Sequence, residues 1–179
     1  MFTFVSGLYF RGKLAYARKF ATPPQGLSGF FVITPAAGLV PPETVVSLDQ
    51  LREWALNDIA AGDHRYRQPL ERDCRVLSDK TAGHCEIVLL GSVATPKYID
   101  PLLEIFRERL LFPTEFVGRG DMSRGGLMLR CVDAGEELRY SPVFNATLHG
   151  PRPPKLLPSK NRGFSAVLEQ MPGKAINQS

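Results

Sequence analysis

Four glycines, two arginines, an aspartate and a serine stand close together in residues 118–126. An arginine guanidinium is planar and offers paired N–H donors, which suit the oxygens of a phosphate or a carboxylate. Glycines around it would leave a loop free to close on a ligand. We therefore predict that Arg119, Ser123 and Arg124 bind an anionic group, with Asp121 as a candidate catalytic base. A solvated surface turn is the alternative interpretation.

Three short apolar runs are predicted to be strands, at residues 2–5, 30–33 and 87–90, and small or polar residues follow each of them. Apolar runs without alternation suit strands that are covered on both faces, as in a parallel sheet. The carboxyl ends of such strands form the ligand crevice of open α/β sheets. Helix N-termini at the same edge supply N–H donors for anions. The pattern therefore predicts a crevice for an anionic ligand.

This crevice is predicted to lie where Gly7, Gly38 and Gly91 end neighbouring parallel strands. Small residues there would let a ligand approach the backbone. Tight turns need the same residue types, so a purely structural interpretation stays open. Asp49 is a second candidate for a catalytic base. The predicted ligand-binding residues of the crevice are Ser6, Gly7, Arg11, Lys13, Thr34, Gly38, Gly91, Ser92, Thr95 and Lys97.

Four segments carry signals of a helix. The second of them begins with a capping box formed by Ser47 and Gln50. The third has Pro69 in its first turn, and the fourth has Thr95 as its N-cap. The predicted helices cover residues 8–20, 47–62, 69–77 and 95–110.

Two more strands are predicted at residues 127–132 and 138–143, joined by the turn-type cluster 133–136. They are expected to pair as a C-terminal antiparallel hairpin. The alternation of strands and helices before them is typical of α/β proteins. We therefore predict a single three-layer α/β domain over residues 1–150, with a mostly parallel sheet.

The net charge of +4 lies entirely in the last part of the chain. Residues 151–179 carry five basic side chains and one acid, whereas acids and bases balance in residues 1–150. The tail is also proline-rich, with few apolar residues, so we predict a flexible basic tail. In residues 63–75, arginines alternate with acids, which favours a solvated helix face paired with itself over a nucleic-acid track.

The three cysteines, Cys74, Cys85 and Cys131, have no framework spacing and suit a reducing compartment. Together with the lack of a signal peptide or an apolar membrane span, they predict a cytoplasmic protein. Neither a zinc-type spacing nor a nucleophile elbow is present. We therefore predict no metal and no cofactor.

Tyr9-Phe10, Lys13 and Tyr16-Ala17, together with residues 32–43, form one informative stretch, and residues 88–91 with the helix at 98–103 form another. These stretches resemble an uncharacterised group of bacterial and phage α/β proteins whose fold is similar to that of uracil-DNA glycosylases. The resemblance implies a nucleotide- or base-binding crevice and does not imply glycosylase activity. The lysine-containing turn expected after the first strand in that group is only Ser6-Gly7 here.

The leading hypothesis from the sequence is a protein that handles a nucleotide or a nucleic acid, with chemistry at a nucleobase or a phosphate ester as one option. The alternative is a non-catalytic interaction module whose basic tail docks an acidic partner or nucleic acid. A third option is an enzyme for a small phosphorylated or carboxylated substrate. The sequence leaves the reaction, the substrate and the oligomeric state open.

Overall fold

The structure is a computed structural model that describes residues 7–56, 62–93, 96–144, 146, 150–151 and 153–156. It confirms a mixed α/β protein. None of the described helices is long and apolar enough to cross a membrane. The elements, in chain order, are α1 (Leu8–Phe20), β1 (Val32–Ile33), β2 (Leu39–Val40), α2 (Leu48–Ala55), α3 (His64–Lys80), β3 (Ile87–Val88), α4 (Pro96–Phe106), β4 (Leu110–Pro113), α5 (Asp121–Ala134) and β5 (Tyr140–Pro142).

Side-chain caps begin helices α2 and α3. The capping box before α2 is confirmed, because Ser47 Oγ accepts from the Gln50 amide at 3.1 Å and Gln50 Oε1 accepts from the Ser47 amide at 2.8 Å. The prediction that α3 begins at Pro69 is wrong. Its N-cap is Asp63, which accepts from the Arg65 amide at 2.9 Å, and Pro69 lies inside the helix. The helix therefore begins at its acidic N-cap, six residues before the proline.

The strands form two small sheets. In the larger one, β3 pairs parallel with β4, and β4 pairs antiparallel with β5. β1 and β2 pair antiparallel in a separate hairpin. Of these three described pairings one is parallel, so a mostly parallel, three-layer sheet is not shown. The strand predicted at residues 2–5 lies outside the described residues.

The chain after β1 forms a hairpin turn and not a crossover to a helix. The Thr34 amide donates to the Gly38 carbonyl at 2.9 Å, and the Ala37 amide donates to Thr34 Oγ1 at 2.9 Å. Gly38 has a φ of +67°, which favours glycine. The prediction that Gly38 and Gly91 end neighbouring parallel strands is wrong, since their strands belong to different sheets.

The predicted strand at residues 127–132 is also wrong, because these residues lie within α5. The cluster at 133–136 ends that helix through Gly135, whose φ of +70° gives a left-handed C-terminal cap. The strand predicted at 138–143 is confirmed in part by β5, but its partner is β4. The predicted C-terminal hairpin is therefore absent from the described residues.

Arginines of the 63–75 run lie at the protein surface and pair with nearby acids, as the sequence predicted; for example, Arg75 pairs with Glu71 at 2.9 Å.

The described core has two parts. The larger cluster includes the buried residues Tyr66, Leu70, Cys74, Leu89, Val93, Ile99, Leu102, Phe106, Leu110, Phe112 and Val143. The smaller one, which lies between α1 and α5, includes the buried residues Tyr16, Phe116, Met128 and Leu138.

The buried thiol of Cys74 predicts a pH dependence of stability. Burial raises its pKa from 9.0 to about 12. Between these values the unfolded chain loses the thiol proton while the folded chain keeps it, so stability falls as the pH rises. Urea unfolding of the wild type and of Cys74→Ala, each at about pH 8 and about pH 10, measures this effect. We expect a larger alkaline loss in the wild type and in a Cys85→Ala control. An equal loss in all three proteins would contradict the prediction.

Candidate anion-binding site

Helices α1 and α5 approach each other through two glycines. A Cβ on Gly125 would lie 2.7 Å from the Leu8 carbonyl oxygen, and a Cβ on Gly12 would lie 2.7 Å from the Gly125 carbonyl oxygen. The absence of these two side chains lets the backbones touch. The glycines of the 118–126 stretch thus serve helix packing at Gly125, and only residues 118–120 of that stretch precede the helix.

The two helices run in the same direction. Gly125 contacts Leu8 and Tyr9 near the start of α1, and Cys131 packs in the same core cluster as Tyr16, farther along both helices. Both helices therefore begin at the same end. The Tyr9 hydroxyl donates to the Leu90 carbonyl at 3.3 Å, just beyond the carboxyl end of β3. Two helix N-termini and a parallel strand end accordingly meet, which is the kind of edge that the sequence predicted for a crevice.

Lys13 lies at this edge. Its Nζ is 4.1 Å from the centre of the Tyr9 ring, one turn earlier on α1. Burial lowers the pKa of Lys13; the charge of Asp121 partly offsets this, and the charge of Arg124 adds to it. Within the part of the chain that the structure describes, no hydrogen bond or ion pair satisfies the Lys13 ammonium. The group is a half-buried cation held mainly by an aromatic face.

Arg124 stands beside Lys13, but its guanidinium is mostly used within the protein. It donates to the Phe116 carbonyl at 3.2 and 3.3 Å and lies 3.5 Å from Asp121 Oδ1. The side chain is 11% exposed. Arg124 therefore fixes the turn after β4 to α5 and adds positive charge to the site. Replacement by lysine would lose the bonds to Phe116, so we expect it to lower stability as well as ligand binding.

Arg119 and Ser123 are held by the protein itself. Arg119 Nε donates to the Glu115 carbonyl at 2.9 Å, and one of its terminal nitrogens donates to Ser123 Oγ at 3.2 Å. These bonds fix Arg119 across the start of α5. The structure thus gives both residues a structural role, and their predicted role in ligand binding stays a prediction.

The segment after β3 approaches the same cluster. Tyr98 packs against the core cluster that contains Tyr66; burial raises the pKa of Tyr9, and the Tyr98 hydroxyl contributes to this. Lys97 Nζ is 5.0 Å from the centre of the Tyr98 ring. Gly91 and Ser92 connect this region to β3 and are half-buried. Thr95, like Ser6, lies outside the described residues.

Other predicted site residues lie elsewhere. Thr34 and Gly38 form the β1–β2 turn, which packs against α3: Asp73 Oδ2 accepts from the Leu39 amide at 2.9 Å. Asp49 is 90% exposed and pairs with Arg52 at 3.1 Å on α2. Gly7 is the N-cap of α1, and Arg11 is exposed on that helix.

The sequence interpretation did not assign a site role to Tyr9, Tyr98 or Phe116. For Tyr9 a signal was present, because it precedes Lys13 by four residues, the spacing at which helix side chains meet. Phe116 takes part in the site through its backbone carbonyl oxygen, and a residue's type does not predict a contact made by its backbone.

The described residues include no group of three or more histidine, cysteine, aspartate or glutamate side chains that would hold a metal ion. The fold and the site define a mixed α/β protein with a cationic, tyrosine-lined cluster at the carboxyl end of a parallel strand. Comparisons with protein-family models, with curated proteins and with solved structures found no match for this chain. The resemblance to proteins with a uracil-DNA glycosylase-like fold therefore stays a prediction.

Proposed function

We propose that this protein binds a nucleotide or a nucleic acid and that Lys13 contacts a phosphate group of the ligand. The observation that carries the proposal is the Lys13 ammonium, which is half-buried beside Tyr9 and has no hydrogen-bond or ion-pair partner among the described residues. A buried charge that lacks a partner is costly, and an anionic ligand would supply one. The site would then be complete only when a ligand is bound.

The surroundings of Lys13 support a phosphate as the ligand group. Arg124 adds a second positive charge, and the first turns of α1 and α5 offer backbone N–H groups at one end. Tyr9 and Tyr98 are both half-buried and add aromatic surface near these donors, which a base or a sugar could contact. Positive charge beside aromatic faces favours a nucleotide over inorganic phosphate.

Asp121 is the better of the two proposed catalytic bases. It is 69% exposed at the start of α5, and its charge reaches both Tyr9 and Lys13. Asp49 lies on α2 and pairs with Arg52, and its charge is not among those that act on Lys13. If the protein acts on a nucleobase or a phosphate ester, Asp121 is the residue that we propose to accept the proton.

Replacement of Lys13 by glutamine tests the proposal. A charged hydrogen bond contributes about 1.5–3 kcal/mol, so we expect Lys13→Gln to weaken binding of dTMP and of a single-stranded oligonucleotide by roughly ten- to a hundredfold. Isothermal titration calorimetry measures the first affinity and fluorescence anisotropy the second. The matched control is Lys19→Gln, which removes an exposed lysine from the last turn of the same helix.

Thermal melts of the two variants separate binding from folding. Lys13→Gln removes a half-buried charge but also loses the cation–π contact with Tyr9, worth about 0.5–1 kcal/mol, so we expect a melting temperature close to that of the wild type. Equal affinities for wild type, Lys13→Gln and Lys19→Gln would show that the proposed site is not where the ligand binds. Binding that is lost only when the tail is removed would favour the interaction-module alternative.

A further inference from the structure

The Lys13 side chain has the surroundings that make a lysine amine nucleophilic. Its Nζ lies 4.1 Å from the centre of the Tyr9 ring, and the residue is half-buried. The charge of Arg124 acts on the same group. An amine that is partly withdrawn from water, or that stands beside another cation, releases its proton more readily, and the free amine attacks electrophiles. Lys13 meets both conditions.

The neighbours of Lys13 do not hold its proton in place. Among the described residues, no carboxylate forms an ion pair with Lys13 and no acceptor bonds to it. The charge of Asp121 reaches Lys13, but this carboxylate lies 3.5 Å from Arg124 and pairs with it. The lowered pKa of Lys13, which arises first from burial, agrees with this arrangement. Lys19, in contrast, is exposed on the last turn of the same helix.

We propose that acyl phosphates acylate Lys13 and that this modification switches the anion site off. The inference rests on the proposed function, which takes Lys13 as the contact for a ligand phosphate, and it adds the regulation of that site. An acyl phosphate brings a phosphate group, which the charge of Arg124 attracts, and an acyl carbon bonded to one of the phosphate oxygens. A site that holds the phosphate beside Lys13 therefore holds the acyl carbon within reach of the amine.

The reaction needs no further reactant. The ammonium of Lys13 first releases one proton to water. The lone pair of the free amine then forms a C–N bond with the acyl carbon, and the bond from this carbon to the bridging oxygen breaks. The phosphate leaves with that electron pair and takes up the second proton that the nitrogen loses. The product is a neutral amide on Nζ.

Acylation and ligand binding oppose each other at Lys13. The amide carries no charge, so Lys13 loses both its attraction for a phosphate and its cation–π contact with Tyr9. A bound ligand phosphate, in turn, stabilises the ammonium form and keeps the amine protonated. The ligand therefore protects Lys13, and the modification excludes the ligand.

The test treats the full-length protein with acetyl phosphate and, in parallel, with the N-hydroxysuccinimide ester of acetic acid, which has no phosphate. Peptide mass spectrometry measures acetylation at Lys13 and at Lys19. We expect the ratio of Lys13 to Lys19 acetylation to be at least about fivefold higher with acetyl phosphate, because the site positions this reagent. Added inorganic phosphate should remove the difference.

Isothermal titration calorimetry of the acetylated proteins then measures the switch. We expect treated wild type and treated Lys19→Gln to bind dTMP roughly ten- to a hundredfold more weakly than before treatment. Treated Lys13→Gln should bind dTMP as it did before, which assigns the loss to Lys13 and not to other lysines.

Each other outcome overturns a specific statement. If the two reagents give the same ratio of Lys13 to Lys19 acetylation while Lys13→Gln weakens dTMP binding, the inference is wrong and the proposed function stands. Unchanged dTMP affinity after acetylation of Lys13 would overturn the switch. Preferential acetylation of Lys13 by acetyl phosphate in a protein that binds neither dTMP nor the oligonucleotide would overturn the proposed function and leave the acylation.

Discussion

Gly125→Ala is expected to lower the free energy of unfolding by about 2 kcal/mol, whereas Gly126→Ala is expected to raise it by about 0.5–1 kcal/mol. A Cβ on Gly125 would lie 2.7 Å from backbone atoms of Leu8 and Tyr9, and backbone cannot turn aside as a side chain can. The overpacking cost of about 1–3 kcal/mol, or more against backbone, exceeds the gain in helix propensity. At Gly126 the nearest atom would be 3.9 Å away, so only the gain remains.

Urea unfolding of the two alanine variants measures this difference, and the pair shares helix, substitution and chain position to within one residue. The same backbone crossing brings Lys13 and Arg124 together, so we also expect Gly125→Ala to weaken dTMP binding. Equal stabilities of the two variants would mean that α1 and α5 do not cross at this glycine.

Gly38→Ala is expected to lower the free energy of unfolding by about 3–4 kcal/mol, and Gly26→Ala by about 1–2 kcal/mol. Both glycines have positive φ angles, +67° and +80°, so both alanines carry the cost of a left-handed backbone. A Cβ on Gly26 would meet nothing within 4 Å, whereas one on Gly38 would collide with the Asp73 carboxylate and the Pro69 carbonyl.

The extra cost at Gly38 comes from the hydrogen bond that Asp73 accepts from the Leu39 amide at 2.9 Å, which the new methyl group would displace. Loss of a charged hydrogen bond accounts for about 1.5–3 kcal/mol. Chemical denaturation of both variants gives the difference. A Gly38→Ala protein as stable as Gly26→Ala would show that the β1–β2 turn does not pack on α3, and would reopen the prediction that Gly38 faces a ligand.

The sequence predicted part of the candidate site. Lys13 and Arg124 were both proposed for an anion, and the structure brings them together with the strand end before Gly91. The elements on which these residues were predicted to lie, however, differ from those in the structure. The sequence interpretation assigned Arg124 to a flexible loop, yet it stands in the first turn of α5, and Thr34 was assigned to the same crevice, yet it lies in a separate hairpin.

The starts of α1 and α2 were predictable, because the signals for them lie within a few residues of one another. The capping box of Ser47 and Gln50 satisfies amides at its own helix end, and α1 has the predicted bounds, Leu8–Phe20. Such interactions form without any distant part of the chain. The mixed α/β class and the neutral body with its basic tail were likewise determined by the sequence alone.

Strand pairing and the site itself were decided by the tertiary structure. The apolar run at residues 127–132 suits either a strand or a helix, and in the structure it is part of α5, which packs directly on α1 at Gly125. The strand predicted at 138–143, which was expected to pair with residues 127–132, pairs as β5 with β4 instead. Contacts between residues more than a hundred positions apart, such as Gly12 with Gly125, depend on how whole elements pack. No local pattern encodes them, and they are what bring Arg124 beside Lys13, whereas the contact of Lys13 with Tyr9 is local to α1.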